Sequence, residues 1–296
     1  MSVALSWERD GIDWPNREAS GFVLSAGLRW HVQKMGEGPV LLLLHGTGSA
    51  THTWRDLAPL LAPRFTVIAP DLPGHGFSAA LEPKRLSLSG MAAAIAELLQ
   101  TLELTPRLVV GHSAGAAVLA RMTLDGQIDP VRIVCLNGAL LPFRGLAAPF
   151  YAPLARLLAV NPIVARLFAR GAASPSAVDR LIRNTGSSLD ATGRDLYGRL
   201  LRSPAHLHGA LGMMANWDLA TLERELPRLG PRLFLVACGD DGAIPAADAF
   251  RVRDAVAGAE VTYLRKLGHL GHEEQPQLFA DVIVRAAGAA GILAAV

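Results

Sequence analysis

A mostly parallel, doubly wound α/β sheet carrying an inserted helical lid is the architecture this sequence predicts. Three observations predict it. Short apolar runs that do not alternate in polarity recur along the chain, as in strands covered on both faces. Helical patterns separate these runs, which places helices on both sides of a parallel sheet. Between about residues 144 and 216 the strand-like runs stop, and only helical patterns remain. The 296 residues therefore divide into a first core part (1–143), a lid (144–216) and a second core part (217–296), and a chain of this size buries a substantial interior.

The elements follow in order. Phe22 to Leu24 and Leu28 to Lys34 read as two strands joined at Ser25-Ala26-Gly27, a hairpin. The central strands are "VLLLLHG", "FTVIAPD", "RLVVGHS", "RIVCLNG", "RLFLVACGD" and "EVTYLRKLGH". Helices are expected at Trp54 to Leu61, Ser89 to Leu102, Ala114 to Leu124, Ala246 to Ala257 and Pro276 to Ala287. In the lid, "SPSAVDRLIRNTG" is the clearest helix: Ser174 caps it, Pro175 suits its first turn and Gly186 its end. Val178, Leu181 and Ile182 make its apolar stripe. "YAPLARLLAVNPIVARLFAR" and "LHGALGMMANWD" are helical and unusually apolar.

Composition narrows the function classes. A net charge of +2 is too small to imply a nucleic-acid partner. The cations are nearly all Arg, Lys34, Lys84 and Lys266 being the exceptions. Cys135 and Cys238 lie far apart within strands, with neither a disulfide framework nor a zinc pattern, so a reducing compartment is expected. No signal peptide is read at the start, and no uninterrupted apolar run reaches the roughly 20 residues that span a bilayer. A cytoplasmic protein is the expectation. No metal spacing, dinucleotide fingerprint or phosphate-binding loop is visible, and no cofactor is expected.

The chemistry concentrates at three strand ends. Gly111-His112-Ser113-Ala114-Gly115 matches G-x-S-x-G between a strand and a helix, the context in which that motif presents a nucleophilic serine. A serine needs a base, and the base an orienting acid. "VACGDDGAIP" ends one later strand and offers Asp240 and Asp241; "KLGHLGHEEQP" ends the last and offers His269 and His272. His269, directly after a glycine and nearest the strand end, is the expected base, with His272 packing beside it. Acyl transfer also needs donors for an oxyanion. The backbone N–H of Ala114 is one candidate, and Thr47 in "HGTGS" supplies the second. His45, in "HGTGS", reads as a structural loop residue rather than a base, and His75, in "PDLPGHGFS", as an anchor of loop backbone.

With these residues in view, "LLLLHGTG", "APDLPGHGFS", "VGHSAG", the Asp before "GAIP" and "GHLGHEEQP" resemble the α/β-hydrolase family over nearly the whole chain. More narrowly, "WPNREASGFV", "LRWHVQ", "HGTGSATHTWRDLAPLLA", "LNGALLPF" and "MMANWDL" are similar to the BchO-type magnesium-chelatase accessory proteins of bacteriochlorophyll biosynthesis. The resemblance implies Ser113 as nucleophile, His269 as base, and Thr47 and Ala114 as oxyanion donors. It also selects Asp241, four residues before Pro245. One departure is Cys238, where the family usually has glycine. Asn137, at the other strand end where an acid can sit, is an amide. A serine at the elbow, rather than an aspartate, argues against dehalogenase chemistry.

Phe143, Phe150, Tyr151, Phe168, Met213, Met214 and Trp217 sit in or beside the lid and would line a pocket, with Phe143, Met213 and Trp217 the expected substrate contacts. Arg144, Arg156, Arg166 and Arg170 punctuate the lid. Apolar walls with Arg at the margins suit a hydrophobic small molecule such as a tetrapyrrole carrying carboxylates. They equally suit peripheral contact with an anionic membrane. Two functions are expected: an ester or thioester hydrolase, or a non-catalytic porphyrin-binding accessory factor in contact with magnesium chelatase.

Overall fold

The computed structural model of the chain describes residues 5–142 and 174–293. Eight strands form a single sheet in the order β1-β2-β4-β3-β5-β6-β7-β8. They are β1 (Ser20–Ser25), β2 (Leu28–Met35), β3 (Val40–Leu44), β4 (Thr66–Pro70), β5 (Leu108–His112), β6 (Arg132–Leu136), β7 (Leu233–Cys238) and β8 (Glu260–Leu264). β2 runs antiparallel to both its neighbours, and every pairing from β4 to β8 is parallel. The hairpin turn has positive φ at both Ala26 and Gly27, the geometry that matches the twist of the strands it joins.

Period-two geometry explains why the central runs are continuously apolar. Leu42, Leu44, Val109, Ile133 and Leu235 face one way, against α3 (Leu88–Thr101) and α4 (Ala114–Leu124). Their neighbours Leu41, Leu43, Val110, Val134 and Val236 face the other way, against α2 (Leu57–Leu61) and α11 (Pro276–Ala289). Each fully buried Leu or Val contributes about 1.5–3 kcal/mol relative to exposure. The remaining helices are α1 (Trp7–Asp10), α5 (Pro175–Asn184), α6 (Ala191–Arg202), α7 (Pro204–Ala215), α8 (Ala220–Glu225), α9 (Ala246–Ala255) and α10 (Gly271–Glu274).

The sheet order reverses at β3: β4 lies on one side of it and β5 on the other. Loops leaving the carboxyl ends of β3 and β5 therefore diverge and open a crevice, the usual ligand site of such sheets. Leu44 pairs with Gly111 at that edge, so Thr47 and Ser113 leave the sheet side by side.

Residues 174–216 carry the helices α5, α6 and α7, and each of these starts on a side-chain cap. Ser174 accepts from Ala177 N–H, Asp190 from Gly193 N–H and Ser203 from His206 N–H. Val178 and Ile182 are buried as expected, but Leu181 is 48% exposed. At 100° per residue Leu181 falls to the side of the stripe that Val178 and Ile182 define. The single helix expected from Trp54 to Leu61 is split into a 3-10 turn (Thr51–Trp54) and α2. Pro59 has no N–H to give an earlier turn, which stops a continuous helix. The helices α6 and α8 were not expected; Gly193 and Gly198 dilute the α6 pattern. Phe143, Phe150, Tyr151, Phe168 and the arginines 144, 156, 166 and 170 lie outside the described residues.

Candidate active site

Ser113 joins β5 to α4 with φ 51° and ψ −119°. Positive φ is rare for a residue with a side chain and costs about 1–3 kcal/mol, so the surroundings must impose it. They do so by close packing. A Cβ on Gly111 would lie 2.4 Å from Ala116 N, and one on Gly115 would lie 2.2 Å from the Leu44 carbonyl oxygen. Glycine at both positions lets α4 pass over the ends of β3 and β5. The Ser113 N–H donates to the Leu136 carbonyl (3.0 Å), and its own carbonyl accepts from Ala139 N–H (3.0 Å). This locks the turn to the end of β6.

His269 lies on the loop after β8. Its Nδ1 is 2.8 Å from Asp241 Oδ2, and the Asp241 side chain is 1% exposed. The other carboxylate oxygen, Oδ1, accepts from the N–H groups of Ala243 and Ile244, both at 2.8 Å. With Oδ2 accepting from Nδ1–H, His269 Nε2 is left as the lone-pair nitrogen, the tautomer a general base requires. Asp240 is exposed; its backbone N–H bonds the Leu267 carbonyl. The geometry thus separates the two aspartates. Among the described residues the Ser113 hydroxyl has no hydrogen-bond partner, and the serine–histidine contact is not closed in this structure. Such contacts are often long without substrate.

The loop that carries His269 is held by two side chains. His112 Nε2–H and Asn137 Nδ2–H each donate to the His269 carbonyl at 2.9 Å. Asn137 also donates to the Gly268 carbonyl (3.2 Å) and accepts from Cys238 N–H (2.9 Å). The His112 and His269 rings lie 4.6 Å apart. Burial, with the nearby His272 and His269, pushes the His112 imidazole well below its usual pKa, so it stays a neutral donor. Neither His112 nor Asn137 was expected in these positions. The only signal in the sequence is their place at the ends of β5 and β6.

His272 does not reach Asp241. Its Nε2 is 2.8 Å from Thr53 Oγ1, its ring packs 4.5 Å from that of His112, and burial pushes it down to about 3. Thr53 in turn donates to Glu273, which also accepts from Tyr197 Oη–H (2.8 Å) and pairs with Arg55. Burial raises the Glu273 carboxyl, and Arg55, Thr53 and Tyr197 oppose that rise. The network ties α6 to the base loop.

On the opposite lip, Ala114 heads α4, so its N–H has no intrahelical acceptor and faces the crevice end of the helix dipole. Thr47 Oγ1 donates to Met213 Sδ at 3.5 Å, which puts Met213 of α7 beside the expected oxyanion residue. Trp217 is half-buried and packs against the core cluster that holds Met213. Phe143, the third expected substrate contact, lies outside the described residues.

His45 and His75 are anchors. His45 Nδ1–H donates to the Gly46 carbonyl (2.8 Å) and its Nε2 accepts from Leu72 N–H (2.9 Å); His75 Nδ1–H donates to the Pro73 carbonyl (3.1 Å). Asp71 takes His31 Nδ1 (2.8 Å) and the N–H groups of Thr51 and Phe77. Burial would raise the Asp71 carboxyl, but His31, His45 and the Phe77 N–H hold it well below the ordinary range. Cys135 and Cys238 are buried free thiols. Among the described residues no helix is long and apolar enough to cross a membrane.

Comparison with known proteins agrees with this architecture. Residues 41–282 match the model of the alpha/beta hydrolase family. A magnesium-chelatase 30 kDa subunit from Rhodobacter capsulatus is 40% identical over 265 residues, covering 88% of this chain and 92% of that protein. A pyrrolizixenacetamide deacetylase from Xenorhabdus hominickii is 30% identical over 251 residues, covering 82% and 89%. Among solved structures, an esterase from Exiguobacterium antarcticum superposes with a TM-score of 0.72 at 18% identity, covering 89% of this chain and 97% of that one. At that identity the likeness is one of fold. Sheet order, strained serine turn and sequence relatives agree: the chain belongs to the alpha/beta hydrolase family, and is similar over most of its length to a magnesium-chelatase 30 kDa subunit.

Proposed function

We propose that the protein is a serine hydrolase of ester or thioester bonds, with Ser113 the nucleophile, His269 its base and Asp241 the carboxylate that orients the base. The observation that carries this reading is the 2.8 Å contact between Asp241 Oδ2 and His269 Nδ1, on the same sheet edge as a serine held at φ 51°. Ser113 Oγ attacks the acyl carbon as His269 Nε2 takes its proton. The oxyanion is received by the N–H groups of Thr47 and Ala114. His269 then gives the proton to the leaving oxygen or sulfur. Water, deprotonated by the same ring, releases the acid from the acyl-enzyme. Asp241 keeps its charge throughout and stabilises the imidazolium. In this reading the helices described between 174 and 216 serve as a lid beside this edge, with Met213 against Thr47. The two buried free thiols support action in a reducing, cytoplasmic setting.

A fluorophosphonate probe tests the reading directly. The wild-type protein becomes labelled at Ser113 and the Ser113→Ala protein does not. Equal labelling of both, or of neither, defeats it.

A second reading has its own support in the relative named as a magnesium-chelatase subunit: a porphyrin-binding accessory factor that contacts the chelatase, with or without the membrane surface. Saturable quenching of tryptophan fluorescence by micromolar protoporphyrin, retained in Ser113→Ala, favours it. Ester turnover without any quenching leaves the hydrolase reading alone.

A further inference from the structure

We propose that the turn Thr185-Gly186-Ser187, which leaves the lid helix α5, is a positioning element that registers the acid loop against the base loop. In this arrangement the docked lid sets the alignment of the Asp241–His269 pair. The inference deepens the hydrolase reading and rests on it for its catalytic consequence.

The turn touches both loops with main-chain groups. The Thr185 carbonyl accepts two hydrogen bonds, one from Gly242 N–H beside the acid and one from His269 N–H, the base itself, each at 3.0 Å. A carbonyl has two lone pairs, and here each is given to one loop. Ser187 Oγ accepts from Leu270 N–H at 2.8 Å and Ser187 is buried. Glu274 closes the clip, taking Gly268 N–H on Oε1 (3.0 Å) and Ser188 N–H on Oε2 (3.4 Å).

Three glycines leave room for these contacts. A Cβ on Gly186 (φ +77°) would lie 1.7 Å from the Asp240 carbonyl oxygen. One on Gly242 would lie 2.3 Å from the Asn184 carbonyl oxygen, and one on Gly268 2.3 Å from Ser187 Oγ. The three backbones meet without an intervening side chain. Leu270 adds an apolar tie, packing with Val178 and Ile182 of α5.

A cover that only closes over substrate has no need to hydrogen-bond the base. Loss of this turn would leave the N–H groups of Gly242, His269 and Leu270 without acceptors and free the two loops to drift relative to each other. Small misplacements of a general base carry large rate penalties. The expected signature is a fall in turnover with little change in substrate affinity.

The test uses the full chain carrying Ser187→Ala, Ser187→Thr or Glu274→Gln. Two readouts are followed: the far-downfield proton resonance of the His269 Nδ1–H bond, assigned by its loss in Asp241→Asn, and kcat and KM on a p-nitrophenyl ester. Ser187→Ala is expected to shift or broaden the resonance and to lower kcat roughly tenfold, with KM within about twofold. Ser187→Thr, which keeps the hydroxyl, restores both. Glu274→Gln, at a half-buried position, gives a smaller change of the same kind, and decides the matter where Ser187→Ala does not fold. A resonance at the wild-type position in the folded variants, or a loss carried by KM alone, overturns the inference. The resonance does not depend on Ser113. A wild-type protein that shows it, responds to these variants and yet neither turns over ester nor takes the probe therefore upholds the positioning role and defeats the nucleophile reading.

Discussion

The Asn137 side-chain amide donates to the His269 carbonyl at 2.9 Å and accepts from Cys238 N–H at 2.9 Å. One side chain thus fastens the base loop to the ends of both β6 and β7. Asn137 itself sits at φ 46°, a conformation that Asn and Asp tolerate better than other residues with side chains.

Asn137→Asp is therefore expected to keep the backbone and break the bond. A carboxylate cannot donate to the carbonyls of Gly268 and His269 and faces both with like partial charge. Ester turnover should fall by about one to two powers of ten as the base is displaced. Steady-state kinetics beside a thermal melt checks this; wild-type turnover in Asn137→Asp would show that the base loop holds its place without the amide.

The two neighbouring aspartates should differ sharply. Asp241 carries the hydrogen bond to His269, whereas Asp240 is exposed and engages through its backbone. Asp241→Asn is expected to lower kcat by about four powers of ten, as when a triad carboxylate becomes an amide and the wrong tautomer is favoured. Asp240→Asn should stay within about twofold of wild type. A pH-independent loss in Asp240→Asn as large as that in Asp241→Asn would dismiss this assignment.

The middle of the sheet was legible because β3, β5 and β6 are covered on both faces, and that burial writes itself as unbroken runs such as Leu41 to Leu44 and Leu108 to Val110; β8, expected on the same pattern, is an edge strand with Glu260 and Tyr263 exposed. The serine turn was legible for a local reason: the glycines at 111 and 115 sit where a side chain would strike backbone. What the sequence hid is long-range. Asn137 reaches His269 across 132 positions, and the Thr185 carbonyl meets Gly242 and His269 through main-chain atoms that carry no residue-type signal. Leu181 misled for a different reason, since the stripe counts apolar residues without knowing how wide the receiving surface is. The choice between Asp240 and Asp241 needed the direction of each side chain, which the order of residues alone does not give.

Packing at the elbow predicts an asymmetry between glycines. Gly115→Ala would press a Cβ to 2.2 Å of the Leu44 carbonyl oxygen and 2.7 Å of that of His45, forcing α4 away from β3. A loss of about 1–3 kcal/mol or more is expected from such overpacking, together with loss of probe labelling at Ser113. Gly288, in α11, has nothing within 4 Å of an added Cβ, and Gly288→Ala should stabilise by up to about 1 kcal/mol through helix propensity. Urea denaturation of the two variants measures both signs. If Gly115→Ala is as stable as wild type and labels normally, the close approach does not govern the turn.

Acid should unfold this protein earlier than its carboxylates alone would require. The imidazoles of His45, His52, His75, His112, His206 and His272 are all buried, and burial lowers each below the ordinary 6.5, His206 to about 4 and His272 to about 3. In the unfolded chain these rings take up protons near pH 6.5, while in the fold they stay neutral. The unfolded state then binds more protons, so stability is full above pH 6.5 and is lost as the pH falls below it. Each ring contributes a slope of about 1.4 kcal/mol per pH unit, which for His206 ends near pH 4 and for His272 near pH 3. Glu273, raised by burial, opposes the trend between 4.5 and its raised value, and Asp71, held low, adds to it only at more acidic pH. His206 donates from Nε2 to the Gly48 carbonyl (3.2 Å) and accepts at Nδ1 from Gly76 N–H (3.1 Å). Protonation would put a second donor against the Gly76 N–H and loosen α7 from both loops. His206→Gln, which can donate and accept but not titrate, should therefore flatten the stability profile between pH 6.5 and 4. Urea midpoints at pH 7.5, 6 and 5 on the two proteins give the answer: a wild-type midpoint that does not move over this range would mean that the rings titrate alike in the folded and unfolded chain.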